Sequence, residues 1–249
     1  MFNIENLTVR VNDKNLIHNI SFAVPKGQIT AVIGESGSGK STTVSAILGI
    51  LPPHAVVTGA VFFCGKNQME LSKKERTALR TKHVFTIFQD ATNSFSPTQK
   101  MKQQLYMYSA LRLGHQKEKF LLKMTSILKQ LNLSEDVLER YPFELSGGML
   151  QRCMLACALY TEPDVLIADE PTSALDMLHQ QDFIQLLKTL HDKLGITILL
   201  ITHDLGVAVS VADSIVVMKN GAIVEMGQVA EIFEQPKHPY TKRLVANHF

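Results

Sequence analysis

An excess of charge of either sign is missing from this chain: 25 Lys and Arg stand against 23 Asp and Glu in 249 residues, a net charge of +2. Such a balance gives no electrostatic ground for a nucleic-acid partner, which takes a basic face or stripe. Long apolar runs are missing too. None approaches the roughly 18 residues that read as a membrane-spanning helix. The opening Met1-Phe2-Asn3-Ile4-Glu5 has neither the basic region nor the hydrophobic centre of a secretion signal. A cytosolic protein is therefore expected, reaching any membrane through a partner. Cysteine is scarce, with only Cys64, Cys153 and Cys157. Three widely spaced thiols make no disulfide framework. Cys153 and Cys157 lie four apart in a predicted helix, but without a second ligand pair at metal-site spacing they read as buried thiols. Internal repeats and low-complexity tracts are absent as well.

What is present centres on Gly34-Glu35-Ser36-Gly37-Ser38-Gly39-Lys40-Ser41-Thr42. The stretch follows an apolar strand-like run, Ile29 to Ile33, and opens a helix-like run, Thr43 to Ile50. Strand, glycine-rich turn and helix are the context of a phosphate-binding loop. Glycines allow backbone angles closed to other residues, so that successive N–H groups converge on a phosphate. The helix start adds unpaired N–H groups and the favourable end of its dipole. Lys40 is placed to bridge β- and γ-phosphates, and the Ser41 hydroxyl to ligate Mg²⁺.

The remaining chain alternates strand and helix signals. Residues 2–33 read as three strands, with Pro25-Lys26-Gly27 turning between the last two. Leu51-Pro52-Pro53 is expected to end the helix after the loop. Strands follow at Val56 to Cys64 and Val84 to Phe88, with a charged helix between them at Ser72 to Arg80. From Ala91 to about Tyr141 strand signals stop, and helices are predicted at Met101–Leu113 and Gln116–Leu131. A helical subdomain, 91–161, is thus expected within an α/β core formed by 1–90 and 162–249. Strands resume at Val165 to Ala168 and Ile196 to Ile201, separated by a helical stripe that Gly195 closes. Asn220-Gly221 between two apolar runs predicts a type I′ hairpin.

Four further features carry chemistry. Asp169-Glu170 ends a predicted central strand, where an open α/β sheet meets its ligand. Asp169 suits a Mg²⁺ water shell, and Glu170 suits the polarising of an attacking water. Gln89 ends another strand, with an amide oxygen able to ligate Mg²⁺ or orient water. His203 ends the run Ile198 to Thr202 and can hydrogen-bond a γ-phosphate. Ser146-Gly147-Gly148 precedes a predicted helix, Met149 to Tyr160, as a second anion-binding terminus or a plain serine cap. Two such sites in one chain suggest two chains packed head to tail, each closing its partner's loop.

In this order the motifs resemble those of the ATP-binding cassette ATPases. Gly34–Thr42 is similar to the Walker A loop and Gln89 to the Q-loop. Leu145–Met149 is similar to the signature, with methionine in place of the commoner glutamine. Val165–Glu170 corresponds to Walker B, Ser173-Ala174-Leu175-Asp176 to the D-loop and Thr202-His203-Asp204 to the H-loop. The resemblance implies a P-loop NTPase core of mainly parallel sheet and helices, an N-terminal antiparallel β subdomain and an inserted α-helical subdomain. It further implies ATP and Mg²⁺ at a cassette dimer interface, Glu170 as catalytic base, His203 on the γ-phosphate and a permease docked on the helical insert. Gly34–Ser41 with Glu35, Gln89-Asp90 followed by Asn93-Ser94-Phe95-Ser96-Pro97, Tyr141-Pro142-Phe143-Glu144 and Lys237-His238-Pro239-Tyr240-Thr241 most resemble the dipeptide, oligopeptide and nickel importers. That resemblance implies a peripheral protein on the cytoplasmic face of the cell membrane, with an identical or related second ATPase, permease subunits and an extracytoplasmic solute-binding protein. The expected cargo is peptides, nickel or cobalt, or metal–chelator complexes. The family's adenine-stacking aromatic falls near Val11, where no ring stands; Asn12 and Asp13 offer none either.

Two other readings stay open at this point. A cassette ATPase acting on nucleic acid or ribosomes usually carries two cassettes, a coiled coil, zinc fingers or a basic linker, and this sequence shows none. A small-molecule kinase would use the phosphate loop but leave Ser146–Gly148 and His203 without a purpose.

Overall fold

Apolar runs and glycine-marked turns sort the chain into strands and helices. The computed structural model describes residues 1–89, 93–173 and 177–247, with the backbone alone at 177–179. The strands are β1 (Phe2–Val11), β2 (Lys14–Val24), β3 (Ile29–Ile33), β4 (Val56–Phe63), β5 (Lys66–Asn67), β6 (Val84–Ile87), β7 (Val165–Asp169), β8 (Thr197–Thr202), β9 (Ser214–Lys219) and β10 (Ala222–Gln228). The helices are α1 (Lys40–Leu48), α2 (Lys73–His83), α3 (Met101–Leu105), α4 (Lys117–Gln130), α5 (Gly147–Thr161), α6 (Met177–Leu194), α7 (Leu205–Val211), α8 (Val229–Glu234) and α9 (Pro239–Ala246). They divide between two compact units, Met1–Arg80 with Thr197–Phe249, and Thr81–Ile196.

The first unit holds the antiparallel sheet β2-β1-β4-β5 and the strand series β10-β9-β3-β8. β1 buries Phe2, Ile4, Leu7 and Val9 against solvent-facing neighbours. Its alternation slips between Ile4 and Leu7, where Asn6 takes a φ of 50° and its N–H finds the Ser21 hydroxyl at 2.8 Å. That is a bulge with its freed donor satisfied. Asn12 and Asp13 are the two central residues of the β1–β2 turn, at φ 47° and 60°. Short polar residues tolerate that left-handed backbone, as a type I′ hairpin requires. The place where the family's adenine aromatic was expected is therefore a tight polar turn.

β3 pairs in parallel with both β8 and β9, and all five of its residues are buried. A strand enclosed on both faces reads as a continuous apolar run, which is why the sequence marked it clearly. The Asn220-Gly221 turn joins β9 to β10 with φ of 49° and 77°, as the hairpin signal predicted. The end of α1 corrects an expectation. Gly49, at φ 61°, stops the helix at Leu48, four residues before the first proline. Its N–H bonds Ala46 O at 3.0 Å, and Ile50 N–H bonds Ser45 O at 2.9 Å. The glycine turn closes the last carbonyls before proline has any part to play.

In the second unit β6 and β7 pair in parallel, Ile87 beside Ala168. Around them the described stretch 93–161 carries α3, α4 and α5, with α3 running on through a π turn (Tyr106–Ala110) and a 3₁₀ turn (Leu111–Leu113). Its core is an aromatic cluster. Phe120 meets Tyr106 edge-on at 5.3 Å and Tyr160 at 5.9 Å, while the Lys123 ammonium sits 4.8 Å from the Tyr160 ring centre. Cys153 and Cys157 are buried on α5, and burial pushes the Cys153 thiol up to about 12, so both act as small apolar groups. Phe120→Ala should cost about 3–5 kcal/mol, the usual penalty for emptying an aromatic site. Urea unfolding followed by far-UV circular dichroism reads it; a loss below about 1 kcal/mol would place the helical core elsewhere.

Candidate nucleotide-binding site

The loop after β3 is held open by steric necessity. At Gly34, φ +155°, a Cβ would lie 2.2 Å from Met218 O; at Gly39, φ +105°, it would lie 2.7 Å from Ile17 Cδ1. Gly34 is fixed by a backbone oxygen as well as by its angle, whereas Gly39 is fixed by its angle, since the tip of Ile17 can turn aside. Gly37 is different, since its φ of +79° demands glycine while open space surrounds it. The loop is also fastened from behind by the β9–β10 hairpin: Gly221 N–H donates to Ser38 O at 2.9 Å, and Gly221 O accepts from His18 N–H at 2.8 Å. The strand–loop–helix order predicted this turn, but nothing in the sequence pointed to the hairpin that braces it.

Lys40 is the first residue of α1 and is 5% exposed. Its ammonium folds back over the loop to Gly34 O at 2.7 Å and Glu35 O at 3.1 Å. Two carbonyl dipoles thus hold a buried cation within the glycine turn. Among the described residues no side chain caps the start of α1, and no acidic residue sits in its first turn. The Ser38 hydroxyl is buried with no hydrogen-bond partner among the described residues. A cation, an uncapped helix N-terminus and an orphaned hydroxyl fit a polyanionic phosphate. Ser41 is exposed and Thr42 half-buried at the same helix start, while Glu35 and Ser36 lie exposed in the loop.

His203 shares this edge of the first unit. Ile33 pairs with Thr202, so Gly34 and His203 leave adjacent strands at the same level. His203 is exposed; Asp204 beside it caps α7 by accepting Val207 N–H at 3.1 Å.

The second unit carries the remaining predicted residues. Ile87 pairs with Ala168, so β6 and β7 send Gln89 and Asp169-Glu170 out of the same end. Asp169 is the last residue of β7 and is 8% exposed; Gln89 is exposed. Glu170 adopts φ +50°, an uncommon angle for a side-chain-bearing residue. Its carbonyl is tied by Ser173, whose N–H and Oγ reach it at 3.2 and 3.1 Å. Asp90 and Ala174–Asp176, the rest of two expected motifs, lie outside the described residues.

The signature stretch needs a second correction. Gly147 and Gly148 do not precede the helix but form its first turn, behind Ser146 as N-cap. Ser146 Oγ accepts Met149 N–H at 3.3 Å. The serine defines the boundary because its side chain replaces the missing intrahelical partner, and glycine after it is free to enter the helix. Ser146 and Gly147 are exposed, and a Cβ on Gly147 would touch nothing within 4 Å. Sequence reasoning also missed Gln151 one turn on, buried and donating its amide to Pro171 O directly after Glu170. A buried glutamine in an apolar helix was the signal available.

Among the described residues no His, Cys, Asp or Glu cluster could hold a metal alone. The oxygen donors present, Ser41, Gln89 and Asp169, are of the hard type that suits Mg²⁺. No helix of the described residues is long and apolar enough to cross a membrane.

Comparison with known proteins agrees with this geometry. Residues 17–173 match the family model described as ABC transporter. The dipeptide transport ATP-binding protein DppD of Bacillus subtilis (strain 168) is 40% identical over 93% of this chain and 70% of its own length. The oligopeptide transport ATP-binding protein OppD of the same organism is 41% identical, over 93% of this chain and 66% of its own. The metal-staphylopine import system ATP-binding protein CntD of Staphylococcus aureus (strain Mu50 / ATCC 700699) is 35% identical, over 94% and 87%. The chain thus spans about two thirds of the two Bacillus relatives. Among solved structures, cbiO1 from Clostridium perfringens, part of the ABC transporter complex cbiONQ, superposes with a TM-score of 0.81 at 29% identity, covering 94% of this chain and 90% of that one. The dimeric post-hydrolysis state of the ATP-binding cassette MJ0796 bound to ADP and Pi gives 0.79 at 27%, covering 92% and 99%. The fold is that of a P-loop NTPase cassette, and the chain belongs to the ABC transporter family, as an ATPase coupled to transport.

Proposed function

We propose that the chain binds ATP with Gly34–Thr42 and energises an importer of peptides or metal–chelator complexes, working in pairs at the cytoplasmic face of the cell membrane. The observation that carries the reading is the glycine cradle in which Lys40 and the orphaned Ser38 hydroxyl meet an uncapped helix start. In that cradle Lys40 would sit on the β- and γ-phosphates, with Ser41, Gln89 and Asp169 as ligands of Mg²⁺, which neutralises developing charge when bound. Glu170 takes the proton of a water as its oxygen attacks the γ-phosphorus and the bond to the ADP oxygen breaks. His203 contacts the transferred phosphate.

Ser146, Gly147 and Gly148 would serve the nucleotide of a second chain, identical or related. Their support is the exposed serine and glycine at the start of α5 and the dimeric state named for MJ0796. A lone chain then binds ATP but hydrolyses it slowly. Exposed Phe88, Met107, Leu111 and Leu113 leave the second unit with apolar side chains suited to a permease. The relatives' names speak for peptide, glutathione or metal–chelator cargo rather than nucleic acid. Nickel or cobalt alone remains within this cargo class. The chemistry of selection then lies in the permease and solute-binding protein. Drawn through a tag in mild detergent from the membranes of its own host, the chain should bring a membrane permease with it in stoichiometric amount. Copurifying RNA or ribosomes without permease would overturn the reading.

A further inference from the structure

The tail motif Lys237-His238-Pro239-Tyr240 has so far marked a resemblance and nothing more. In the structure it forms a brace that begins on the sheet and ends on the phosphate loop. Glu225, on β10, accepts the backbone N–H of Lys237 at 2.7 Å and of His238 at 3.0 Å. The polar groups of the tail overcome the upward push of burial and hold this carboxyl below its ordinary range, so it stays ionised at neutral pH. His238 then caps α9, its Nδ1 accepting Tyr240 N–H at 3.1 Å, and Pro239 supplies the first helical turn. These contacts aim Tyr240 inward, where it is 2% exposed and lies under the Lys219 ammonium, 4.9 Å from its ring centre. Its hydroxyl accepts the Glu35 N–H at 2.9 Å.

The position of that bond is informative. Glu35 N–H and Gly34 C=O belong to one peptide group. Tyr240 holds the nitrogen edge of it, and the Lys40 ammonium holds the oxygen edge at 2.7 Å. A planar peptide gripped at both edges cannot rotate. Gly34 is the residue at which this plane could most easily turn, because glycine lacks the side-chain restraint on φ and ψ. We propose that Tyr240 is a positioning residue of the nucleotide-binding loop: through the Glu35 N–H it sets the Gly34–Glu35 peptide, and with it the cradle of Lys40. The inference rests on the reading of Gly34–Thr42 as the ATP site. Without the hydroxyl the empty loop relaxes, and nucleotide binding must restore the peptide, so the loss falls on affinity rather than on folding.

Tyr240→Phe keeps the ring and removes only the hydroxyl. Titrated with a fluorescent ATP analogue, the full chain carrying Tyr240→Phe should bind about five-fold more weakly than wild type, the equivalent of one hydrogen bond. Amide exchange in the peptide covering residues 34–40 should quicken, while the thermal midpoint stays near that of wild type. In the ATPase assay KM should rise with kcat little changed. An affinity equal to wild type overturns the proposal, as does a loss that merely follows a fall in folded protein. The parent reading fails separately: wild type itself would then not bind the analogue, or Lys40→Ala would bind it as wild type does.

Discussion

Glu170→Gln is expected to lower ATP hydrolysis by about 10²- to 10⁴-fold, the span that a positioned general base supplies, and to leave nucleotide binding intact. Glutamine matches glutamate in size, so the φ +50° backbone and the Ser173 bonds to its carbonyl need not change. What is lost is the ability to take a proton from the attacking water. An arrangement that can bind and close but not turn over accumulates the closed pair. Phosphate release and size-exclusion chromatography with ATP read the two halves of this expectation. Undiminished turnover would take the base role away from Glu170; loss of binding together with turnover would instead mean that the loop after β7 had collapsed.

That loop also illustrates what the sequence could and could not disclose. Val165 to Ala168 and Ile29 to Ile33 were legible because strands buried on both faces carry unbroken apolar runs, and the chemistry sits where those runs stop. Asn220-Gly221 was legible because its turn type admits few residues. The end of α1 was misread through the prolines, since Gly49 is a single unremarkable letter until its φ is known. The Gly147-Gly148 pair was placed outside the helix for a related reason: low helix propensity is a weak signal, and the Ser146 cap overrides it. Contacts across long separations left no trace at all. Tyr240 and Glu35 are 205 residues apart, and no periodicity links them. Gln104 was hidden for a different reason, since its bonds are local: it is a fully buried amide that holds Ser96 N–H, Ser96 O and Gln99 O. In sequence it is one glutamine among several on a helix.

Lys40→Ala should raise the dissociation constant for ATP by about 100-fold or more, since each charge-assisted bond to a phosphate is worth about 1.5–3 kcal/mol. The folded chain should tolerate the change well. The wild-type ammonium is buried against Gly34 O and Glu35 O, and removing it trades these hydrogen bonds for the relief of a desolvated charge. The thermal midpoint is therefore expected to move little while affinity collapses, a contrast that separates a binding lysine from a structural one. Lys40→Arg sharpens the test. It preserves the charge, but the planar guanidinium is wider than an ammonium and presents a fork in place of a compact donor. The two carbonyls that hold the wild-type ammonium, Gly34 O at 2.7 Å and Glu35 O at 3.1 Å, converge on a single compact donor rather than on a planar fork. If net charge at the helix start were all that held the phosphates, arginine would restore binding. The geometry predicts that it does not, and equilibrium titration of the two variants beside wild type decides between a field and a fitted site.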